Sequence, residues 1–180
     1  MKDTIKLIVV LTLICAISSA LLAAVFRVTE KPIAVAREQR ILQAAAKVMP
    51  AGLPMPEKVE LNQTTFFVAK KEGKVQAVAT EGRSNKGYSG DIVLMIGMSS
   101  DGKLISYEVI QANETPGLGT KMTSDGFKKP LLGRPLKGEW KVKKDGGDVD
   151  AITAATISSR AVLDCICDAI KKRNAVLGQL

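Results

Sequence analysis

The apolar positions of this chain fall into successive patterns that predict its elements. From Leu7 to Phe26 no residue carries a charge. A helix of that length rises about 30 Å, enough to cross the hydrocarbon core of a bilayer. From about Glu30 to Val48 the pattern turns amphipathic: Ile33, Ala36, Ile41, Ala44, Ala45 and Val48 recur at partial helical spacing. Pro50, Gly52, Pro54 and Pro56 then break the helix, and Pro50 to Lys58 reads as a connector. Beyond Thr64 the runs are short. Thr65–Lys70, Val75–Thr80, Ile92–Met98 and Leu104–Gln111 read as strands, with Glu72-Gly73 and Asp101-Gly102 as hairpin turns. Ser124 to Leu132 reads as a short helix and Trp140 to Lys143 as another strand. Ile157, Ala161, Cys165 and Ala169, with Val162, Ile166 and Ile170 beside them, mark one face of a terminal helix ending near Asn174 to Gly178. The expected class is α+β, a mainly antiparallel sheet flanked by helices, with one N-terminal transmembrane helix.

Charge refines the first segment. A cleaved signal peptide is its other reading, but the run exceeds the usual apolar core of one, and Ala20 to Val25 offers a poor cleavage site. With a retained anchor, Lys2 and Lys6 put the short N-terminal side in the cytoplasm. The expected organisation is a cytoplasmic N-terminus at 1–6, a transmembrane helix at 7–26, an amphipathic helix and connector at 27–60, and an extracytoplasmic domain at 61–180. The formal net charge is +8. Nucleic acid is not the expected partner, because the aromatics are few and scattered and no basic helix or stacking platform is visible. With no histidine, the commonest general base and any serine triad are missing. Cys165 and Cys167 lie two apart on a helix and face different ways, so Cys165 reads as a core residue rather than a metal ligand. No catalytic set and no metal site is expected.

Three segments stand outside these elements. Lys86-Gly87-Tyr88-Ser89-Gly90 reads as a turn leading into a strand. Glu114-Thr115-Pro116-Gly117-Leu118-Gly119 contains a Pro-Gly turn in which Gly117 can take positive φ. Asp150 to Ser159 is small and hydroxyl-rich, follows the turn Asp145-Gly146-Gly147-Asp148, and opens the terminal helix. Thr156, Ser158 or Ser159 can serve there as N-cap, and a phosphate can sit at such a helix end. Read singly, each is a turn or a cap.

Taken together, with an N-terminal anchor, they resemble the G subunit of the Rnf electron-transport complex, within the FMN-binding domain family. The resemblance covers nearly the whole chain. It implies that Asp150-x-x-Thr153-x-Ala155-Thr156 is the recognition site of a flavin transferase, with FMN joined through its phosphate to the Thr156 oxygen. The family usually has glycine where this chain has Ala154. By the same resemblance Glu114, Thr115, Gly117, Leu118 and Gly119 lie against the ring or ribityl chain. Gly87 and Tyr88 approach the ring, and Lys121 is a cationic neighbour of the phosphate or reduced ring. The implied function is one-electron relay by a flavoprotein anchored in the plasma membrane, as a subunit of an ion-translocating oxidoreductase between ferredoxin and NAD. Its partners would be the other membrane subunits, membrane lipid and, during maturation, the flavin transferase. Two alternatives stand beside this one. A C-subunit-like carrier of a sodium-pumping NADH:quinone reductase is disfavoured by the short chain. A non-redox membrane assembly module would use the glycine loops as ordinary turns.

Overall fold

The computed structural model describes residues 2–176 and Gly178. It divides into two compact units, one running up to Gln39 and the other from Arg40 onward. Helix α1 spans Lys2–Lys47, and its course up to Gln39 makes up the first unit. Its apolar side chains from Leu7 to Phe26 are exposed, and it is long and apolar enough to cross a membrane. Thr12 and Thr29 donate their hydroxyls back to the carbonyls of Ile8 and Val25, each at 2.8 Å. Neither hydroxyl hydrogen is then left facing an apolar surrounding.

The second unit is built on a five-stranded antiparallel meander, β1 (Glu57–Leu61), β2 (Thr64–Lys71), β3 (Lys74–Gly87), β4 (Gly90–Ser99) and β5 (Leu104–Gln111), in that spatial order. The strand alternation gives the sheet two apolar faces. Phe67, Ala69, Ala77, Ala79 and Met95 pack against Ala44, Ala45, Val48 and Met49 at the end of α1. Ile92, Leu94, Ile96 and Met98 lie on the opposite face, in a core shared with helix α3 (Thr156–Ala175) through Ala161, Val162, Cys165, Ile166 and Ala169. The short helix α2 (Asp125–Lys128) contributes Phe127 to that core. At Gly82 the helix comes so near β3 that an added Cβ would lie 2.8 Å from the Cys165 carbonyl carbon and 2.7 Å from Ile96 Cδ1. The Cys165 thiol donates to the Ile92 carbonyl at 3.4 Å, and burial pushes its pKa up to about 12. It is a core residue, as its spacing implied.

Three expectations change. β1 stands where a connector was expected to run to Lys58, and its turn uses Asn62 and Gln63, both at positive φ. β3 continues beyond Thr80 as far as Gly87. Its polar end is held by α3, where the Arg83 amide donates to Asp168 at 2.9 Å and Lys172 donates to the Glu81 carbonyl at 2.8 Å. Trp140 to Lys143 is not a strand. Only Val142 bridges, to Val149, and a 3-10 turn begins at Lys143. The terminal helix ends at Ala175, within the expected stretch, of which Leu177 lies outside the described residues.

Candidate functional site

The three unusual segments meet at one carboxylate. Glu114, just beyond β5, is buried. Its Oε2 accepts from the Ser158 hydroxyl at 2.6 Å, in the first turn of α3. Its Oε1 accepts from the Ser89 amide at 3.4 Å, in the turn between β3 and β4. One glycine of each loop makes room for it. A Cβ on Gly87 would lie 2.8 Å from Glu114 Oε1, and one on Gly119 would lie 2.7 Å from both Glu114 Cβ and Ser158 Oγ. Glu114, Gly87 and Gly119, expected against a flavin, therefore pack on one another and hold the loops together. Gly117 behaves differently. Its φ is +76°, and a Cβ there would meet nothing within 4 Å. Its amide donates to Thr120 Oγ1 at 2.9 Å, while the amides of Leu118 and Thr120 both turn to the Thr115 carbonyl.

The start of α3 corrects the capping assignment. Ala155 is the N-cap, and no side chain caps the helix. Ser158 is committed to Glu114. Ser159 donates to the Ala155 carbonyl and accepts from the Ile152 amide, each at 2.9 Å. Thr156 is the first helical residue. Ala155 is buried in the core shared with α3. Thr153 is exposed in the turn closed by Ala155 N–H on the Ile152 carbonyl at 2.9 Å. Ala154, the third residue of that turn, has φ +60°. A left-handed alanine costs about 1–2 kcal/mol, and a glycine there would lose about 0.5–1 kcal/mol more backbone entropy on folding. Ala154→Gly is therefore expected to stabilise the chain by about 0.5–1 kcal/mol. A rise in thermal midpoint checks this, and a fall would show that the turn does not strain the alanine.

A cation reaches Thr156 from the segment before it. Lys144 Nζ lies 3.4 Å from Thr156 Oγ1. Lys144 sits in the 3-10 turn Lys143–Asp145, which Gly146 closes in the left-handed region at φ +83°. The next residue, Asp145, accepts two hydrogen bonds from Arg160, at 2.7 and 2.6 Å, one turn along α3 from Thr156. Arg160 holds the Asp145 carboxyl below its usual range. The clamp thus persists at neutral pH and loosens only as pH falls beneath the ordinary carboxylate range. Lys143 turns to Asp150 at 2.8 Å, so that first motif residue is an ion-pair partner on the surface. Lys121 is exposed in the 3-10 turn Gly119–Thr123. It is Lys144 that contacts Thr156. The sequence does not single out Lys144, because a succession of turns separates it from Thr156. Nor does it reveal Ser158 as a partner of Glu114, because a hydroxyl near a helix start reads first as a cap.

Exposed apolar side chains gather here. From Arg40 onward the large exposed hydrophobics among the described residues are Met55, Tyr88, Leu118, Leu132 and Ile157. Three of the five sit on the three joined segments. Tyr88 is 69% exposed at the turn between Gly87 and Gly90, so it does not cover the core. A cleft lined by Lys86, Trp140, Lys141, Arg160 and Ile157 opens next to them. A hydroxyl and an ammonium among open apolar side chains match the chemistry of a flavin nucleotide, which has one phosphate and one broad, largely apolar ring. Among the described residues no cluster of His, Cys, Asp or Glu is arranged to hold a metal.

Residues 87–171 match the model of the FMN-binding domain family. The G subunit of the ion-translocating oxidoreductase complex of Haemophilus influenzae is 41% identical over 105 residues, covering 55% of this chain and 51% of that protein. The chain thus spans about half the length of that relative. The same subunit of Pseudomonas aeruginosa is 31% identical over 180 residues, covering 89% of this chain and 84% of the relative. The chain belongs to this G-subunit family. The Vibrio cholerae member is 29% identical across 95% of this chain and 90% of its own. The long apolar N-terminal helix fits a single-pass membrane anchor. Among solved structures, the C subunit of a Na+-translocating NADH-quinone reductase from Parabacteroides distasonis superposes with a TM-score of 0.55. It has 21% identity over 80% of this chain and 93% of that one. That likeness establishes the fold, an open antiparallel sheet with helices.

Proposed function

We propose that this subunit carries FMN in phosphodiester linkage to Thr156 and relays electrons within an Rnf-type ion-translocating complex between ferredoxin and NAD. The observation that carries this reading is the union of the Gly-Tyr turn, the Glu114 to Gly119 loop and the start of α3 at the Glu114 carboxylate. When bound, FMN would supply one-electron exchange, which no side chain here provides. The chain's part is to hold and orient it. Thr156 offers an oxygen at the rim of a rigid helix, and Tyr88, Leu118 and Ile157 offer an exposed apolar seat. A seat covering about 150 Å² contributes roughly 4 kcal/mol, which by itself corresponds to millimolar retention. Such contacts orient a tethered ring but would not keep a free one in place, so a covalent link suits this surface. Gly117 and Thr115 would bring backbone and hydroxyl to the same rim.

In the same reading α1 anchors the subunit with Lys2 and Lys6 on the cytoplasmic side and the sheet domain outside. The small residues Ala16, Ser18, Ser19, Ala20, Ala23 and Ala24 would allow close packing on other membrane subunits. Lipid meets the rest of the helix. A flavin transferase loads Thr156 during maturation.

Intact-mass measurement tests the central claim. Full-length chain produced with a flavin transferase is expected to gain the mass of FMN less water, and the Thr156→Val chain is expected to gain nothing. An unmodified wild-type mass sinks the proposal.

A further inference from the structure

We propose that Lys144 is the cation that pairs with the phosphodiester at Thr156, fixing the tether in one orientation. This rests on the reading of Thr156 as the flavin attachment point. Four cations occupy the segment 141–144 and the first turns of α3. Lys141 pairs with Glu139 at 3.3 Å, Lys143 with Asp150 at 2.8 Å and Arg160 with Asp145 at 2.6 Å. Lys144 has no carboxylate partner among the described residues. Its one side-chain hydrogen bond is to Thr156 Oγ1.

That placement is built rather than incidental. Lys144 lies between Lys143 and Asp145, and each of those neighbours is drawn to a different anchor. Asp145 is tied to α3 by the two-pronged Arg160 contact, and Lys143 is tied to Asp150. The amides of Asp145 and Gly147 both donate to the Val142 carbonyl, at 2.8 and 3.2 Å. Gly147 is pressed against Lys141, where an added Cβ would lie 2.6 Å from its carbonyl carbon. The turn has little room to move, so the Lys144 stem starts from a fixed point facing the Thr156 hydroxyl.

A neutral hydroxyl gives an ammonium only a weak partner. A phosphodiester on the same oxygen carries one full negative charge and two further acceptor oxygens, so the ammonium gains an opposite charge at hydrogen-bond range that the hydroxyl does not supply. Lys144 would thus gain most of its interaction only after loading. Its charge is idle in the unloaded chain and engaged in the loaded one.

The test compares wild type, Lys144→Gln and Lys144→Arg as full-length chains, each made with and without a flavin transferase. Intact mass reads the loading, and thermal melting reads the stability. Unloaded chains are expected to melt alike. Loading is expected to raise the midpoint of wild type and of Lys144→Arg, with at least half of that rise lost in Lys144→Gln. Added NaCl should erode the rise in wild type and leave Lys144→Gln unmoved. A Lys144→Gln chain that takes no flavin while Lys144→Arg loads also supports the pairing, since the phosphate must then meet the cation before the bond is made. Equal rises in all three chains overturn the inference, as does loss of loading in both variants. Absence of the adduct from wild type is a different result and defeats the attachment reading itself.

Discussion

Glu114→Ala is expected to lower stability by about 3 kcal/mol and to sharply reduce flavin loading at Thr156. The carboxylate accepts from two groups, the Ser158 hydroxyl and the Ser89 amide. Hydrogen bonds to a charged acceptor contribute about 1.5–3 kcal/mol each, and a buried donor left unpaired costs about 1–3 kcal/mol. Ser158 is only 1% exposed, so its hydroxyl has no water to turn to. The contact to Ser89, at 3.4 Å, lies at the weak end, which keeps the total nearer about 3 than about 5 kcal/mol. The larger consequence is geometric. Without the carboxylate, the Gly87-Tyr88 turn and the Thr115 to Gly119 loop lose their common attachment to α3. Urea melts should show the stability loss, and limited proteolysis should cut first between Ala112 and Gly119. Glu114→Gln keeps the shape and one carbonyl acceptor and should fall between the two. An alanine variant as stable as wild type, loading normally, would remove Glu114 from the centre of the site.

Gly82→Ala is expected to be at least as damaging, without touching the site. The new methyl would collide with the Cys165 carbonyl and with Ile96 Cδ1. Ile96 can rotate a methyl away, but the Cys165 carbonyl is helix backbone and cannot. Relief requires α3 to lift from β3, so a cost of about 3 kcal/mol or more is expected, at the top of the overpacking range. Thiol labelling offers a direct readout. In a Cys15→Ser, Cys167→Ser background Cys165 is the one remaining thiol, and it is fully buried. It should label slowly where Gly82 is kept and much faster once Gly82→Ala is added. Equal rates would mean that helix and strand do not meet as closely as the structure has them.

The regular elements were legible because apolar periodicity records burial. β2 and β4 carry continuous apolar runs because both of their faces are covered, and the helix from Thr156 repeats with the period its packing imposes. β1 was not, because this short edge strand follows the proline-rich stretch and offers only two apolar residues, Val59 and Leu61, both half-buried, among exposed Glu57, Lys58 and Glu60. The far half of β3 was hidden for a related reason. Glu81 to Lys86 is polar, and what keeps it extended is pairing with β4 and contacts from α3, both remote in sequence.

At the site, the motifs were visible and the roles within them were not. The glycines of both loops were recognisable as unusual, but the reason for Gly87 and Gly119 is the Glu114 carboxylate, which no spacing reveals. Ala154 stood out against the family's glycine, and its positive φ supplies the physical meaning of that difference. Lys144 left no mark at all, because its meaning depends on a turn that carries it across to Thr156.

The union of loops at Glu114 also sets an order of events in the life of the chain. Each strand pairs with its neighbour in sequence, so the meander can form from local contacts as residues appear. The Thr156 end cannot. Ser158 meets Glu114 across 44 residues, and Cys165 meets Ile92 across 73. The whole of α3 must be made and delivered to the sheet before the rim around Thr156 exists. On the proposed reading, attachment at Thr156 would follow complete folding, since a truncated or half-folded copy would present the motif without the surface that surrounds it.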